Sequence, residues 1–415
     1  MTTEAGLPGT TPAFDAVATA VRADLPILRP DGGPPLVYLD SAATSLTPEP
    51  VIDAITGYYR DVGASVHRGK HMLSDIASTR FEQVRAQVAT EVGGGTRQVA
   101  FVPNTTAALN TVAAGLPLDR GDLVLAPLDV HHSNLLPWRA RATVRMIPLT
   151  PEATPDLGAY AELLRLRPKV VAVSACSNVT GRFAPAEEMA RMAHEAGALF
   201  VLDAAQSAPH GRIRLAATGA DYAAFSAHKM LGPTGIGILY GRLAELAPSV
   251  LGGGTVDWVD LAGHRLRDEP HHLEPGTPHV AGVYGLGATL DYLRGLGWDA
   301  VAAHDATLTR LLYEEIARRP YLRPLGGPGH RDRAAIASLR LPPGADVDEV
   351  ARMLSDSYRV MCRSGKLCAQ PMVDGDGDGR PVLRISAYVY TTPEELGIAF
   401  AALDEVLTVT GVPLG

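Results

Sequence analysis

The sequence has little cysteine and no long apolar run. Only three of its 415 residues are cysteine, at Cys176, Cys362 and Cys368. So few thiols at irregular spacing exclude a disulfide-stabilised scaffold and a four-cysteine zinc site, and we expect no metal. No apolar run reaches the length that crosses a bilayer, and the N-terminus has no basic start followed by an apolar stretch. We therefore expect a cytoplasmic protein in which any functional cysteine acts as a thiol.

The sequence also lacks an excess of basic residues. Its formal net charge is -8, and its lysines and arginines are scattered along the chain. This excludes nucleic acid and anionic membranes as electrostatic partners. A hydrophobic content of 46% in a chain of this length indicates a globular enzyme with room for two domains.

Short apolar runs alternate with helical patterns from Val99 onward. The runs at 170–175, 199–206, 221–229 and 235–241 have strand character, and amphipathic segments with glycine stops separate several of them. This alternation predicts βαβ units in a mostly parallel or mixed sheet covered by helices.

A second pattern begins near Gly287, where long helices precede new strands at 335–341 and 382–390, and a capped helix starts at Thr392. This predicts a smaller C-terminal α/β domain. The expected division is an N-terminal segment, 1–30, that packs on the small domain, a large domain, 31–285, and the small domain, 286–415.

The stretch SAHKMLGPTGIGILYG places Lys229 among apolar residues and glycines. One interpretation is a lysine at a strand end that extends its ammonium to solvent, and the other is a lysine held for covalent chemistry. Asp203 closes the apolar strand LFVLD, where it is either a helix cap or a ligand group, and Gln206 follows three residues later. Together the three suit pyridoxal phosphate: a carboxylate for the ring nitrogen, an amide for the phenolic oxygen and an amine for the aldehyde.

The cofactor also needs a phosphate site and a stacking partner. Thr105 and Thr106 begin a predicted helix, which gives either an anion site or a simple cap. His131 lies either flat on the ring or in solvent, and Ser226 and His228 flank the lysine closely enough to reach the same phosphate.

Many motifs in order resemble one family. They include LVYLDSAATSLTP, VHRGKHMLSD, DVHHSNLLPW, SNVTGRFAP, VLDAAQSAPH, EPGTPHVAG, RSGKLCAQPM and LRISAYVYTTPEEL. The sequence is similar to class V aminotransferase-type, fold type I enzymes, specifically the group II cysteine desulfurases and selenocysteine lyases. The resemblance implies an α/β fold, with a large domain built on a mixed, mostly parallel seven-stranded sheet flanked by helices, plus a smaller C-terminal α/β domain.

The resemblance also implies residue roles. Lys229 would hold pyridoxal phosphate covalently, Asp203 and Gln206 would bind its ring, and His131 would stack on it. The phosphate would be held by Thr105, Thr106, Ser226 and His228, with Thr277 supplied to a neighbouring subunit in a homodimer. Asn178, Arg363 and Arg384 would bind the substrate carboxylate. Cys368 would take the sulfur of L-cysteine, or the selenium of L-selenocysteine, and hold it as a persulfide-type adduct, and the substrate would leave as alanine. An acceptor protein would then receive the sulfur or selenium.

Several positions depart from the family pattern. Lys366 and Leu367 replace two histidines before the cysteine, Ala107 replaces a glutamate, and Pro275 replaces an alanine. These departures keep two alternatives open: a C–S β-lyase or other class V enzyme of a specialised pathway, and a non-catalytic scaffold that binds the cofactor.

Overall fold

The computed structural model describes residues 12–30, 32–211, 213–375 and 378–413. Residues 1–11 of the predicted N-terminal segment therefore lie outside the described residues. The strands are β1 (Val37–Tyr38), β2 (Val99–Val102), β3 (Leu123–Pro127), β4 (Thr143–Ile147), β5 (Val170–Ser174), β6 (Leu199–Asp203), β7 (Tyr222–Ser226), β8 (Gly237–Gly241), β9 (Val256–Val259), β10 (His264–Leu266), β11 (Arg323–Pro324), β12 (Ile336–Arg340), β13 (Val360–Met361), β14 (Arg363–Gly365) and β15 (Val382–Ser386). The α-helices are α1 (Pro12–Ala23), α2 (Glu49–Gly57), α3 (Met72–Val92), α4 (Thr105–Gly115), α5 (Leu136–Arg141), α6 (Leu157–Leu164), α7 (Ala186–Glu195), α8 (Val280–Leu296), α9 (Trp298–Ala317), α10 (Val347–Tyr358), α11 (Gln370–Gly375) and α12 (Pro393–Val409).

A seven-stranded sheet forms the centre of the larger part of the molecule. Its order is β2-β8-β7-β6-β5-β3-β4, and β8 runs antiparallel to both of its neighbours while the other pairs are parallel. Every residue of β5, β7 and β8 is buried, as expected for a sheet covered by helices on both faces. The predicted mixed, mostly parallel seven-stranded sheet is confirmed.

A second sheet is antiparallel, with the order β11-β12-β15-β14. Its apolar core includes residues of α9, α10 and α12. The capping box predicted for the last helix is present, because Thr392 Oγ1 accepts from the Glu395 amide while the Glu395 carboxylate accepts from the Thr392 amide.

Two features differ from the sequence-based expectations. The predicted strand 382–390 ends at Ser386, because the Tyr388 amide donates to Thr391 Oγ1 and the chain turns there. The short strand β1, from the N-terminal part of the chain, pairs in parallel with β13. That pairing was missed because two residues are too few for a visible alternation.

The described residues contain no helix that is long and apolar enough to cross a membrane.

Candidate active site

The predicted site residues follow the carboxyl ends of parallel strands. Thr105 comes after β2, His131 after β3, Asn178 after β5, Gln206 after β6, and Lys229 after β7. Open α/β sheets bind their ligands at this edge. The sheet therefore brings residues that are distant in sequence into one crevice.

One cavity of about 280 Å³ collects twelve of the thirteen predicted site residues. The exception is Thr277, which lines a different cavity of about 430 Å³. The twelve are Thr105, Thr106, His131, Asn178, Asp203, Gln206, Ser226, His228, Lys229, Arg363, Cys368 and Arg384.

Lys229, which is half-buried, and Asp203, which is buried, are opposite charges that line this cavity. Burial lowers the pKa of Lys229 to about 8, with Arg384 and Arg363 adding to the effect and Asp203 opposing it. Burial also raises the pKa of Asp203, while the Ala205 amide, which donates to Asp203 Oδ1 over 3.0 Å, and the charge of Lys229 limit that rise. The amine is therefore partly neutral near neutral pH, which covalent chemistry with an aldehyde requires.

Hydroxyl groups gather at the N-terminus of α4. The Thr105 amide donates to Ser226 Oγ over 2.8 Å, and the hydroxyls of Thr105 and Ser226 lie 2.7 Å apart. Asn104 caps the helix by accepting from the Ala107 amide. Gly237 permits this approach of β8, because a Cβ there would lie 2.8 Å from the Asn104 Cα. A helix N-terminus surrounded by hydroxyls is suited to a phosphate.

The two histidines of the cavity are held neutral. Burial lowers the pKa of His131 to about 4, with Lys229 adding to the effect, and burial lowers that of His228 to about 4 as well. His131 Nδ1 accepts from the Ser133 amide over 3.1 Å. The unprotonated Nδ1 fixes the imidazole as a neutral aromatic ring at the cavity wall.

Arg384 on β15 reaches the crevice from the second sheet. Its Nη1 donates to the Asn178 carbonyl over 3.1 Å and its Nη2 to Asp40 Oδ1 over 2.8 Å. Its buried Nε has no hydrogen-bond partner among the described residues. An arginine fixed at two nitrogens with a third N–H left over is suited to an incoming carboxylate.

Cys368 lies on an exposed loop between β14 and α11. Asn178 Nδ2 donates to the Leu367 carbonyl over 2.9 Å, and the His132 amide donates to the Cys368 carbonyl over 2.8 Å. Leu367 and Cys368 both have a φ of 54°, which is strained for residues with a side chain. The two hydrogen bonds and the burial of Leu367 hold the thiol at the cavity rim.

The other two cysteines differ from Cys368 in their surroundings. Cys176 is fully buried and its thiol points at the Gly181 carbonyl, 3.2 Å away. Burial raises the pKa of Cys362 to about 12. Burial therefore makes both thiols poor nucleophiles, which favours a structural role for them.

Comparison with known proteins agrees with this geometry. A family model for aminotransferase class V matches residues 37–398. A probable cysteine desulfurase of Halobacterium salinarum is 40% identical over 93% of this chain and 95% of its own length. A cysteine desulfurase of Dickeya dadantii is 38% identical over 94% of this chain and 97% of its own length. The apo structure of a cysteine desulfurase from Thermococcus onnurineus NA1 superposes with a TM-score of 0.88 at 34% identity, over 94% of this chain and 98% of that one.

The chain belongs to the cysteine desulfurase family of class V aminotransferases. The cofactor of this family is pyridoxal phosphate. Its fit can be judged from the buried polar groups of the cavity, because a carboxylate, an amine and a hydroxyl-lined helix N-terminus are all present. Gln206 Oε1 is also buried without a partner among the described residues. The donor set therefore fits the cofactor of the cysteine desulfurases.

The amide of Gln206 adds a detail to the predicted contact with the phenolic oxygen. Its Nε2 donates to the Ala42 carbonyl over 2.7 Å. Since Nε2 carries two N–H groups, the second can still serve a phenolic oxygen. Gln206 thus links the cofactor site to the segment that follows β1.

Among the described residues, one cluster has the composition of a metal site. Ligand atoms of His67, Glu82 and His271 lie within 4.8 Å of one another. Glu82 already accepts from His67 and, through both oxygens, from the guanidinium of Arg85. The expectation that this cysteine desulfurase family member needs no metal stays a prediction.

Asp40 contacts both arginines of the candidate site, and the sequence reasoning missed it. Its carboxylate lies 2.8 Å from Arg384 Nη2 and 3.8 Å from Arg363 Nη1. The signal was available, because Asp40 closes the apolar stretch LVYLD much as Asp203 closes LFVLD.

Proposed function

We propose that this protein is a pyridoxal phosphate-dependent cysteine desulfurase that converts L-cysteine to L-alanine and receives the sulfur on Cys368. The observation that carries the proposal is one cavity lined by Lys229, Arg384 and Cys368. A lysine for the cofactor, an arginine for the carboxylate and a thiol at the rim are the three groups that the reaction requires.

The overall reaction balances without a further reagent. The bond between the substrate sulfur and Cβ breaks, and a bond between that sulfur and Cys368 Sγ forms. The electron pair left on carbon takes up a proton and yields the methyl group of alanine, while Cys368 becomes a persulfide. When bound, pyridoxal phosphate supplies an electron sink for the carbanionic stages.

The residues of this chain orient the reactants and move protons. Arg384, assisted by Arg363 and Asn178, binds the carboxylate and fixes which face of the substrate meets Lys229 Nζ. Lys229, with a pKa lowered to about 8 chiefly by burial, both gives and takes a proton near neutral pH. Cys368, which is exposed and lines the same cavity, attacks the substrate sulfur, and its loop is held by Asn178 and His132.

The test is to incubate protein loaded with pyridoxal phosphate with L-cysteine and a reductant, and to quantify sulfide, alanine and pyruvate. We expect sulfide and alanine in equal amounts, and loss of both in Cys368→Ala. Cys362→Ala is the matched control, because its thiol is buried away from the cavity, and it should keep wild-type activity. In a separate single turnover without the reductant, alkylation should locate the added sulfur on Cys368.

The loop sequence Lys366-Leu367 favours one alternative function, a C–S β-lyase, because a leucine cannot transfer a proton as a histidine can. Sulfide matched by pyruvate, or full activity in Cys368→Ala, would establish the lyase and reject the desulfurase. A loaded protein whose absorption changes with no amino acid would instead support a non-catalytic scaffold.

We further propose a homodimer in which Thr277 serves the phosphate of the neighbouring subunit. The support is its position outside the cavity that holds Lys229, in a cavity lined largely by apolar residues. We also propose the division into a large domain, 31–285, and a small domain, 286–415, with α8 as the helix that spans the boundary. The acceptor of the sulfur is proposed to be a protein that reaches Cys368 at the rim.

We propose a cytoplasmic location for the enzyme. Its three cysteines are free, and Cys368 is exposed. A reducing compartment keeps such a thiol available between turnovers.

A further inference from the structure

Asp40 is held between the two arginines of the candidate substrate site. Its Oδ1 accepts from Arg384 Nη2 over 2.8 Å, and its Oδ2 lies 3.8 Å from Arg363 Nη1. Arg384 has a side chain only 3% exposed, and Asp40 one that is 20% exposed. An ion pair that is largely shielded from water is stronger than one at the surface. It therefore restricts the guanidinium of Arg384 more tightly.

The position of Asp40 is itself fixed by backbone pairing. We call residues 37–45 the N-terminal strap. On one side, the Leu39 amide donates to the Met361 carbonyl over 2.8 Å, and the Ser41 amide donates to the Ser386 carbonyl over 3.2 Å. These bonds place Asp40 beside β15, which carries Arg384, and beside β13, which ends two residues before Arg363.

The other end of the strap contacts the cofactor side of the crevice. The Ser45 amide donates to the His228 carbonyl over 2.8 Å, and Gln206 Nε2 donates to the Ala42 carbonyl. The carboxylate of Asp40 is therefore held at a set distance from the residue before Lys229. The strap therefore connects the position of the Arg384 guanidinium to the position of the Lys229 amine.

The contacts of Arg384 determine which of its N–H groups are left to bind a ligand. Nη1 is used by Asn178, Nη2 by Asp40, and Nε has no partner among the described residues. Nε and Nη2 lie along one edge of the guanidinium, and Nη2 carries a second hydrogen. A carboxylate can then bind along that edge only if the guanidinium does not rotate.

We propose that Asp40 is a positioning residue for the substrate carboxylate: it fixes the guanidinium of Arg384 so that its Nε edge faces the cavity, and it offsets one of the two arginine charges. The inference rests on the proposed function. It predicts that Asp40 affects the binding of amino acids and leaves the binding of amines without a carboxylate unchanged.

The test compares wild type, Asp40→Ala and Asp40→Asn, all loaded with pyridoxal phosphate. The dissociation constants of L-alanine and of ethylamine are measured from the absorption change of the cofactor. We expect Asp40→Ala to weaken L-alanine binding on the order of 10- to 100-fold, the worth of one charge-assisted hydrogen bond. Ethylamine, which lacks the carboxylate, should bind as it does to wild type. The KM for L-cysteine should rise more than kcat falls.

Two further variants separate positioning from folding. Asp40→Asn keeps the size and one acceptor oxygen, so it should fold even if Asp40→Ala does not, and it should show a smaller loss of L-alanine affinity. In an Arg384→Ala background, Asp40→Ala should cause no further loss of L-alanine affinity, because Asp40 acts through Arg384.

Equal weakening for L-alanine and ethylamine would show that Asp40 is merely structural and would overturn the inference. So would unaltered L-alanine affinity in both Asp40 variants of an active enzyme. A wild type that neither binds L-alanine nor forms it from L-cysteine would overturn the proposed function together with this inference.

Discussion

At the scale of single residues, the amine of Lys229 gives a prediction on pH. Its pKa is lowered to about 8, first by burial and then by Arg384 and Arg363. Because the neutral amine is the reactive form, its fraction rises as the pH passes through 8 instead of 10.5. The rate at which cofactor-free protein captures pyridoxal phosphate should therefore increase between about pH 7 and pH 9 and then level off.

The measurement is the absorption change on mixing with pyridoxal phosphate at a series of pH values. Lys229→Ala serves as the control, since it should bind the cofactor without a bond that borohydride can reduce. A capture rate still climbing steeply above pH 10 would contradict the lowered pKa.

Leu367 gives a second prediction at this scale. Its side chain is buried in a small apolar cluster with Val179, Met372 and Val373, among others, and its φ is 54°. The side chain therefore anchors the neighbouring Cys368. We expect Leu367→Ala to lower kcat for alanine formation by up to about 100-fold, because small displacements of a reacting group are costly. Its affinity for L-alanine should be unchanged.

Stopped-flow formation of alanine, together with L-alanine titration, checks this expectation. Leu166→Ala, at an exposed leucine, is the matched control. If Leu367→Ala reacts as fast as wild type, the cluster does not hold the thiol in place.

Sequence reasoning found most site residues because each follows a strand or lies in a recognisable motif. It missed Asp40 and the anchoring of Leu367. Both depend on contacts between segments far apart in the chain, as between Asp40 and Arg384. The stretch LVYLD marks Asp40 as the end of an apolar run, but it does not reveal that partner.

At the scale of elements, a buried ion pair connects α3 to the segment that ends in Thr277. Arg85 donates to both oxygens of Glu274, and the Phe101 amide donates to Glu274 Oε1. Burial alone would raise the pKa of Glu274, but Arg85 and the hydrogen bonds lower it to about 2. We expect Glu274→Gln to reduce the free energy of unfolding by about 1.5 to 3 kcal/mol, because Arg85 would lose its buried partner and keep only the partly exposed Glu82.

The sign of the pH dependence follows from the lowered pKa. Glu274 stabilises the folded state fully above its unfolded pKa near 4.5, and this contribution is lost as the pH falls toward 2. Urea denaturation at pH 7 and pH 3.5 measures it. The difference between wild type and Glu274→Gln should shrink at the lower pH, and an equal difference at both would contradict the assignment.

The pattern of elements was predictable wherever the apolar runs were long enough. Strands such as β5 and β6 are continuous apolar runs, and their predicted bounds were right within a few residues. The hairpin β9 and β10 was missed because its residues are mostly exposed, so no buried face imposes a period of two.

At the scale of the whole molecule, the proposed homodimer can be tested by complementation. Thr277→Ala and Lys229→Ala would each damage activity alone. If Thr277 acts in the neighbouring site, a mixed dimer of the two variants contains one intact site, and activity should return on mixing and refolding. Activity that stays absent in mixed dimers verified by mass would place Thr277 in its own subunit's site.

The pairing of β1 with β13 has a consequence for synthesis on the ribosome. Val37 meets Val360, so the strap must wait for roughly 320 further residues, which takes about 16 to 65 s at typical translation rates. Strand β6, which ends in Asp203, and strands β2 and β7, which precede Thr105 and Lys229, emerge well before that. A nascent chain can therefore complete the cofactor crevice first, and it gains the ability to select an amino acid only once translation approaches its end.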